Sequence, residues 1–367
     1  MTPVAHLVEP GGRGGIYHHA ASLTRCLYDS GVEVVLHTAA DAEDVPLPVA
    51  ATPCFWRFSS VRPRALRRAL FVAGWLGRGV PSCLAAVSDG AVLHIEGRFK
   101  PILLVPLVLG ARLRRCTLTF NPHTTFGRNS SAAEEATVRW IARRADAVFA
   151  LCHRDVAEIE SWGARAVLMP FLTTTPVPDP ELVEHWRRRW RRDAARPVVL
   201  VAGQIRADKG PDLLVRAAAL LEERPVVAMV GEDLGAASTA KTLADALGVT
   251  LVVDEGYQPF DRFVAAIAGA DVVACPYRVA SQSSVLATAR SLGRPTVATA
   301  VGGLPELADV VVPPDDPPAL AGGIAQALRR MSPTPAPEAH EPEKDAIRPF
   351  LEAVGFASER APSSDSA

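Results

Sequence analysis

Lysine is scarce in this chain. Of 39 basic residues only Lys100, Lys209, Lys241 and Lys344 are lysines, and the net charge is -1, so no global basic field exists to draw in nucleic acid or an anionic membrane. The arginine excess, beside abundant alanine and proline, reads as a GC-rich coding bias. Cysteine is sparse and scattered. Cys26, Cys54, Cys83, Cys116, Cys152 and Cys275 stand singly, with no CxxC pair and no metal-type spacing to histidine, which excludes a disulfide scaffold or zinc ribbon and leads us to expect buried free thiols and no metal. The opening MTPVAHLVEPGG lacks the basic and apolar regions of a signal peptide, and apolar runs such as Pro101–Ala111 fall short of the roughly 20 residues that span a bilayer. A cytoplasmic protein is expected.

What is present is material for two cores: 367 residues, 49% hydrophobic and 22% charged, too long for one ordinary domain. Short apolar runs alternate with helical stretches. Strands are expected at Val4–Val8, Val32–His37, Val92–Glu96, Cys116–Phe120, Ala147–Leu151 and Ala166–Met169, and again at Val198–Ala202, Val226–Val230, Leu251–Val253, Val272–Ala274, Thr296–Ala298 and Val310–Val312. Strands apolar throughout and separated by helices predict parallel sheets covered on both faces, one in each half.

The predicted domains are 1–172 and 197–332, joined by a linker at 173–196. That linker holds the proline-rich TTTPVPDP and a basic helix, ELVEHWRRRWRRD, in which Val183, Trp186 and Trp190 form one apolar stripe. The stripe accounts for the tryptophans, so the arginines are read as a solvated face and not as a nucleic-acid patch. Residues 333–367 form a proline-rich tail with a helix expected at 346–354 and disorder beyond Phe356.

Open parallel sheets bind ligands at the carboxyl ends of their strands, so the loops there carry the chemistry. EPGGRGG (Glu9–Gly15) follows the first strand, and Gly14 and Gly15 open a helix whose N-terminus favours an anion, although the spacing departs from a dinucleotide GxGxxG. GQIRADKG (Gly203–Gly210) places Arg206 and Lys209 ahead of a helix, a fork and a point charge suited to a diphosphate. In the stretch Cys275–Leu307, Ser281, Gln282, Ser283 and Ser284 form a polar turn capping the helix Val285–Leu292, and Gly302 and Gly303 open another helix. FNPHTTFGR (Phe120–Arg128) presents His123, whose imidazole can bind a hydroxyl or move a proton, and Glu96 ends the strand VLHIE as a second acceptor-side candidate. Five arginines beside apolar residues in Trp56–Phe71 offer weak peripheral membrane contact, with a solvated helix face as the plainer reading.

Three segments together resemble the GT-B glycosyltransferases of family 4: GGIYHHAASLTRCLYDSGVEV the opening helix–strand, GQIRADKGPDLLVRAA the donor-phosphate loop, and SLGRPTVATAVGGLPEL the stretch that follows. The resemblance runs from about residue 4 to residue 330. It implies two Rossmann-like α/β domains facing a central cleft, and a retaining, metal-independent transfer of a sugar from a nucleotide-diphosphate sugar to a hydroxyl or amine acceptor. That acceptor is a small molecule, glycan or lipid-linked group in polysaccharide, glycolipid or secondary-metabolite synthesis. By this resemblance Gly14, Gly15, Gly203, Arg206, Lys209, Ser281–Ser284, Thr288, Gly302 and Gly303 bind the donor, Glu96 and His123 meet the acceptor, and His123, Arg206 and Lys209 serve catalysis. The departures are specific. Registering on Gly293-Arg294-Pro295 puts Ala280 and Thr288 where the family carries two glutamates, and Gln204 stands where its loop arginine stands, with Arg206 two residues on. An IRxxKG loop with an SQS turn is a combination found in one branch of the family. The missing carboxylates keep two other readings open: an inactive nucleotide-sugar-binding partner subunit, or a nucleotide-sugar epimerase of the same architecture.

Overall fold

The alternation of apolar runs and helices resolves, in a computed structural model describing residues 4–56, 62–127, 130–191, 196–330 and 344–356, into two parallel sheets. By its internal contacts the chain divides into two units, Met1–Leu172 with Pro342–Ala367, and Thr173–Glu341. The proline-rich segment 331–343, the tail beyond 356, residues 57–61 of the arginine-rich run, Arg128 and residues 192–195 lie outside the described residues.

The first unit carries β1 (Val4–Val8), β2 (Glu33–Ala39), β3 (Thr52–Phe55), β4 (Val92–Glu96), β5 (Thr117–Asn121), β6 (Ala147–Ala150) and β7 (Ala166–Leu168), ordered β3-β2-β1-β4-β5-β6-β7. The second carries β8 (Val198–Ala202), β9 (Val226–Gly231), β10 (Leu251–Glu255), β11 (Val272–Cys275), β12 (Thr296–Thr299) and β13 (Val310–Val312), ordered β10-β9-β8-β11-β12-β13. Every pairing is parallel, and the central strands β1, β4, β8 and β11 are almost wholly buried, as strands covered on both faces must be. Both orders are of the doubly wound type, so each sheet has one point where successive crossovers part in opposite directions: between β1 and β4, and between β8 and β11.

Twelve of the strands fall where the apolar runs predict them. β3 does not, because TPCF is short and polar at its start. It survives as the outermost strand of its sheet, where Pro53 removes no interior ladder bond. The stripe of the basic helix, observed at Pro180–Trp190, buries Trp186 and Trp190 to 2% exposure each and stacks their rings at 5.3 Å. Their indole N–H groups reach the Arg262 carbonyl and Asp254, so no aromatic is left for stacking a base.

The terminal helix Arg348–Val354 belongs to the first unit. Ile347, Phe350, Leu351 and Val354, spaced three and four apart, are buried, and Phe350 stacks on Phe149 of β6 at 5.0 Å. One expectation about apolar length is corrected. The backbone winds on without a break through Arg64–Gly74, a π-turn at Trp75–Gly79 and Val80–Ala86, so that Ala65–Ala86 is, by length and composition, long and apolar enough to cross a membrane. Its Trp75, Val80 and Cys83 are buried in the first unit's core, while Leu66, Val72 and Leu76 stay exposed.

Candidate functional site

In the first unit the loops after β1, β4 and β5 meet at the switch point. Glu96, the last residue of β4, has no exposed side-chain surface. It accepts from three imidazoles: Oε1 lies 3.2 Å from His19 Nδ1 and 3.1 Å from His94 Nε2, and Oε2 lies 2.5 Å from His123 Nε2. Burial pushes this carboxyl up, but the charges of His19, His123 and His94 outweigh it and hold Glu96 well below the usual carboxylate range. Burial pulls His123 down from its ordinary value, against the pull of Glu96. His123 donates from Nε2 to the Glu96 carboxylate, and its Nδ1 is the ring nitrogen not engaged with Glu96.

His123 is placed by its backbone. Its φ of 59° is left-handed, and its N–H donates to Asn121 Oδ1 at 3.0 Å, a short loop that lifts the ring off the end of β5. His19, from the helix Gly14–Asp29, meets the His123 ring edge-on at 4.8 Å and Phe171 at 5.0 Å, and its Nε2 is buried without a partner among the described residues. The ligand atoms of His19, Glu96 and His123 lie close enough to hold a metal ion. Two ligands of one tetrahedral ion stand about 3.3 Å apart, however. The 2.5 Å between Glu96 and His123 is instead that of a direct hydrogen bond. The expectation that Glu96 itself touches an acceptor is corrected: both of its oxygens are taken, and it is the residue that orients His123 and His19.

The glycine loop is also partly self-satisfied. The Gly11 and Gly12 N–H groups donate to Glu9 Oε1 and Oε2 at 3.0 and 2.7 Å, and burial lifts the Glu9 carboxyl to about 7 against those bonds. Gly14, with φ of 75°, and Gly15 begin the helix, whose first turn carries no acidic residue.

In the second unit the loops after β8, β11 and β12 lie side by side because those strands are neighbours. Gly203 leaves β8 with φ of 89°. Arg206 is gripped in a fork by Asp208, at 2.9 Å from Nε and 3.1 Å from Nη2, and donates from Nη1 to Gln204 at 2.8 Å. Lys209 Nζ stands 4.0 Å over the Tyr277 ring, and the Tyr277 hydroxyl reaches Ser283 Oγ at 3.4 Å. Ser283 caps the helix Ser284–Ser291 through the Leu286 N–H, which leaves Ser284 as that helix's first residue and Gln282 half-buried beside it. Thr288, one turn on, is 2% exposed and offers a ligand little surface.

Gly302 and Gly303 do not open a further helix. Only the short 3-10 turn Leu304–Glu306 follows, because Gly302 (φ of 55°) lies against the serine turn, and the Gly303 N–H donates to the Ser281 carbonyl at 2.7 Å. A Cβ on Gly302 would stand 2.0 Å from the Ala280 carbonyl oxygen. Gly302→Ala is expected to lower stability by about 1–3 kcal/mol and to displace the serine turn, read as a drop in Tm with a weakened nucleotide response.

Two residues that the sequence did not single out, Arg278 and Tyr277, organise this loop. Arg278 donates to both Asp212 oxygens at 2.9 Å, to Asp315 at 2.7 Å and to the Ala207 carbonyl at 2.7 Å, tying the loop after β8 to the loop after β11. Tyr277 supplies the platform for Lys209. The signal was available in CPYRVASQS, where an aromatic and a cation directly follow a buried strand.

Comparison with known proteins agrees with this architecture. The family description "Glycosyl transferase 4-like domain" matches residues 14–175, and "Glycosyl transferases group 1" matches residues 196–330. The chain thus carries both of the domains found in GT-B glycosyltransferases of the family 4 type. Among curated proteins, a D-inositol 3-phosphate glycosyltransferase of Corynebacterium aurimucosum is 39% identical over 140 residues, 36% of this chain and 33% of that protein. A protein of the same name from Mycolicibacterium gilvum is 36% identical over 117 residues, 31% of this chain and 26% of that protein. The matches thus span about a third or less of those relatives. In fold, the chain is similar to sucrose-phosphate synthase from Thermosynechococcus elongatus (TM-score 0.68, 17% identity, 96% of each chain). It is also similar to Anabaena HepE in complex with UDP (TM-score 0.64, 17% identity, 97% of this chain and 95% of that one).

Proposed function

We propose that this glycosyltransferase moves a sugar from a nucleoside-diphosphate sugar to a hydroxyl or amine acceptor, with retention of configuration and without a metal. The observation that carries the reading is the loop Gly203–Gly210, with Arg206 and Lys209 beside the Ser283-capped helix N-terminus at the switch point of the second sheet. As the bond from the sugar to the diphosphate breaks, charge grows on the departing phosphate oxygens, and these two cations with the helix amides are the groups to offset it. The acceptor oxygen attacks from the same face and gives its proton to the departing phosphate oxygen, so no glutamate nucleophile is needed at Ala280 or Thr288. His123, held by Glu96, positions the acceptor. HepE has been solved with UDP and with UDP-glucose, which supports a donor of that chemistry.

The test is a thermal-shift panel of UDP, GDP, ADP and dTDP on the full chain, followed by consumption of the nucleotide sugar whose nucleotide binds. Binding of one nucleotide, then donor turnover with an acceptor, supports the reading, and no response to any nucleotide sinks it. A thymidine nucleotide is included because Thr288 lacks a carboxylate to grip two ribose hydroxyls. The second reading, an inactive nucleotide-sugar-binding subunit, is favoured by Ala280 and Thr288 and would give binding without turnover. An epimerase would instead convert the donor with no acceptor present. A cytoplasmic enzyme, with the exposed face of Ala65–Ala86 touching the membrane surface, fits lipid-linked acceptors.

A further inference from the structure

A second buried cluster lies in the first unit, outside the residues used above. His37 on β2, Cys54 on β3 and Cys83 in the helix Val80–Ala86 are exposed by 0%, 1% and 0%, and their ligand atoms all lie within 4.8 Å of one another. His37 Nδ1 is 3.4 Å from Cys54 Sγ. That matches the separation of about 3.5 Å between a nitrogen and a sulfur bound to one tetrahedral metal ion at ordinary bond lengths. The arrangement is built in, not incidental. A thiol is chiefly a donor, so the His37 nitrogen facing it is the one with the lone pair, and the ring proton sits on Nε2. That nitrogen is 3.1 Å from His6 Nδ1 on the adjacent β1, and the two rings stack at 5.4 Å. A second imidazole thus fixes the His37 tautomer and aims Nδ1 at the sulfurs, the role that outer partners of metal-binding histidines play. Cys83 reaches the cluster because Gly79, one turn earlier, lets its helix lie against β3. A Cβ there would stand 2.7 Å from the Phe55 ring.

We propose that His37 Nδ1, Cys54 Sγ and Cys83 Sγ bind a thiophilic metal ion of the zinc or copper(I) type, which fastens the helix Val80–Ala86 to the edge of the first sheet. Two soft sulfurs and one imidazole select such ions over magnesium or calcium. Binding displaces the two thiol protons to solvent, and no electron is transferred.

The experiment uses the full chain, reduced and freed of metal, then incubated separately with Zn(II) and with Cu(I) and desalted before metal analysis. About one equivalent of one of these ions is expected to remain on the wild type, with a rise in Tm. That equivalent is expected to be lost in Cys54→Ser and in Cys83→Ser, and kept in Cys116→Ser and Cys152→Ser, which alter buried cysteines elsewhere. Circular dichroism on each variant shows whether a loss reflects unfolding, and His6→Gln, which leaves all three ligands, is expected to weaken retention at least about tenfold. Retention no greater in the wild type than in a folded Cys54→Ser/Cys83→Ser variant overturns the proposal. So does a Cys54–Cys83 disulfide that, once reduced, gives a protein that holds neither ion. These readouts are independent of sugar transfer, so they stand apart from the nucleotide panel.

Discussion

Replacing Lys209 by alanine is expected to lower kcat/KM for sugar transfer by about 10²–10³-fold while the fold survives. The ammonium is partly exposed, it rests on the Tyr277 ring, and it stands beside the Ser283 cap, so its loss removes a charge without opening a core. Arg206→Ala should cost less. The Arg206 fork is already occupied by Asp208 and Gln204, so a diphosphate gains this cation only by competing with a carboxylate. The same geometry predicts that Asp208→Asn tightens nucleotide binding. Steady-state kinetics at limiting donor, with nucleotide affinity measured separately, checks all three. A Lys209→Ala enzyme with unaltered turnover would mean that the donor phosphates are bound elsewhere.

Glu96 is where a single change should reach both stability and chemistry. Glu96→Ala leaves His19, His94 and His123 without their shared acceptor in a site with no solvent, and is expected to cost about 3–5 kcal/mol. Glu96→Gln keeps the volume but removes the charge and presents one donor where His123 also donates. It is expected to slow transfer about 10²-fold while nucleotide affinity, whose proposed site is in the other unit, stays as it was. The pH dependence has a definite sign. A carboxyl held below its unfolded value stabilises the fold above that value and loses the contribution as the solution is acidified, so the wild type's advantage over Glu96→Gln should be full above about pH 4.5 and shrink below it. Urea melts of the two proteins from pH 4 to pH 7 measure it, and a gap that widens on acidification would show that Glu96 is buried protonated. His123→Ala should match the kinetic loss of Glu96→Gln, because the carboxylate acts on the acceptor only through that ring.

The fold was nearly all legible in the linear pattern. Central strands such as Val198–Ala202 are apolar at every position, which only a sheet covered on both faces allows, and Trp186 and Trp190 announced by spacing that they faced a core. The site was legible in part. Arg206, Lys209 and the serine turn stand next to strand ends, where loop chemistry can be read locally. Glu96 was visible but misjudged, because the end of a strand looks solvated until the partners arriving from β5 and from the helix Gly14–Asp29 are known. His94 and Glu96 alternate along β4 and so share a face, a weak signal in a strand that is otherwise apolar. Arg278 and Asp212 could not be paired from sequence, since 66 positions separate them.

Lysine scarcity made Lys209 conspicuous, and cysteine scarcity argued against metal. The first inference is local: a cation between a strand end and a glycine has few places to go. The second is not. His37, Cys54 and Cys83 have no metal-type spacing because they come from two neighbouring strands and a helix, and only the strand order and the close approach at Gly79 bring them together. By itself the sequence determined the two parallel sheets, their strands and the strand-end loops that carry Arg206, Lys209 and the serine turn, because period and strand-end position are properties of a short stretch of chain. Only the tertiary structure decided that Glu96 organises three histidines, that Arg206 is held by Asp208, and that two lone cysteines share one histidine, because each depends on crossovers that return distant segments to the same strand edge.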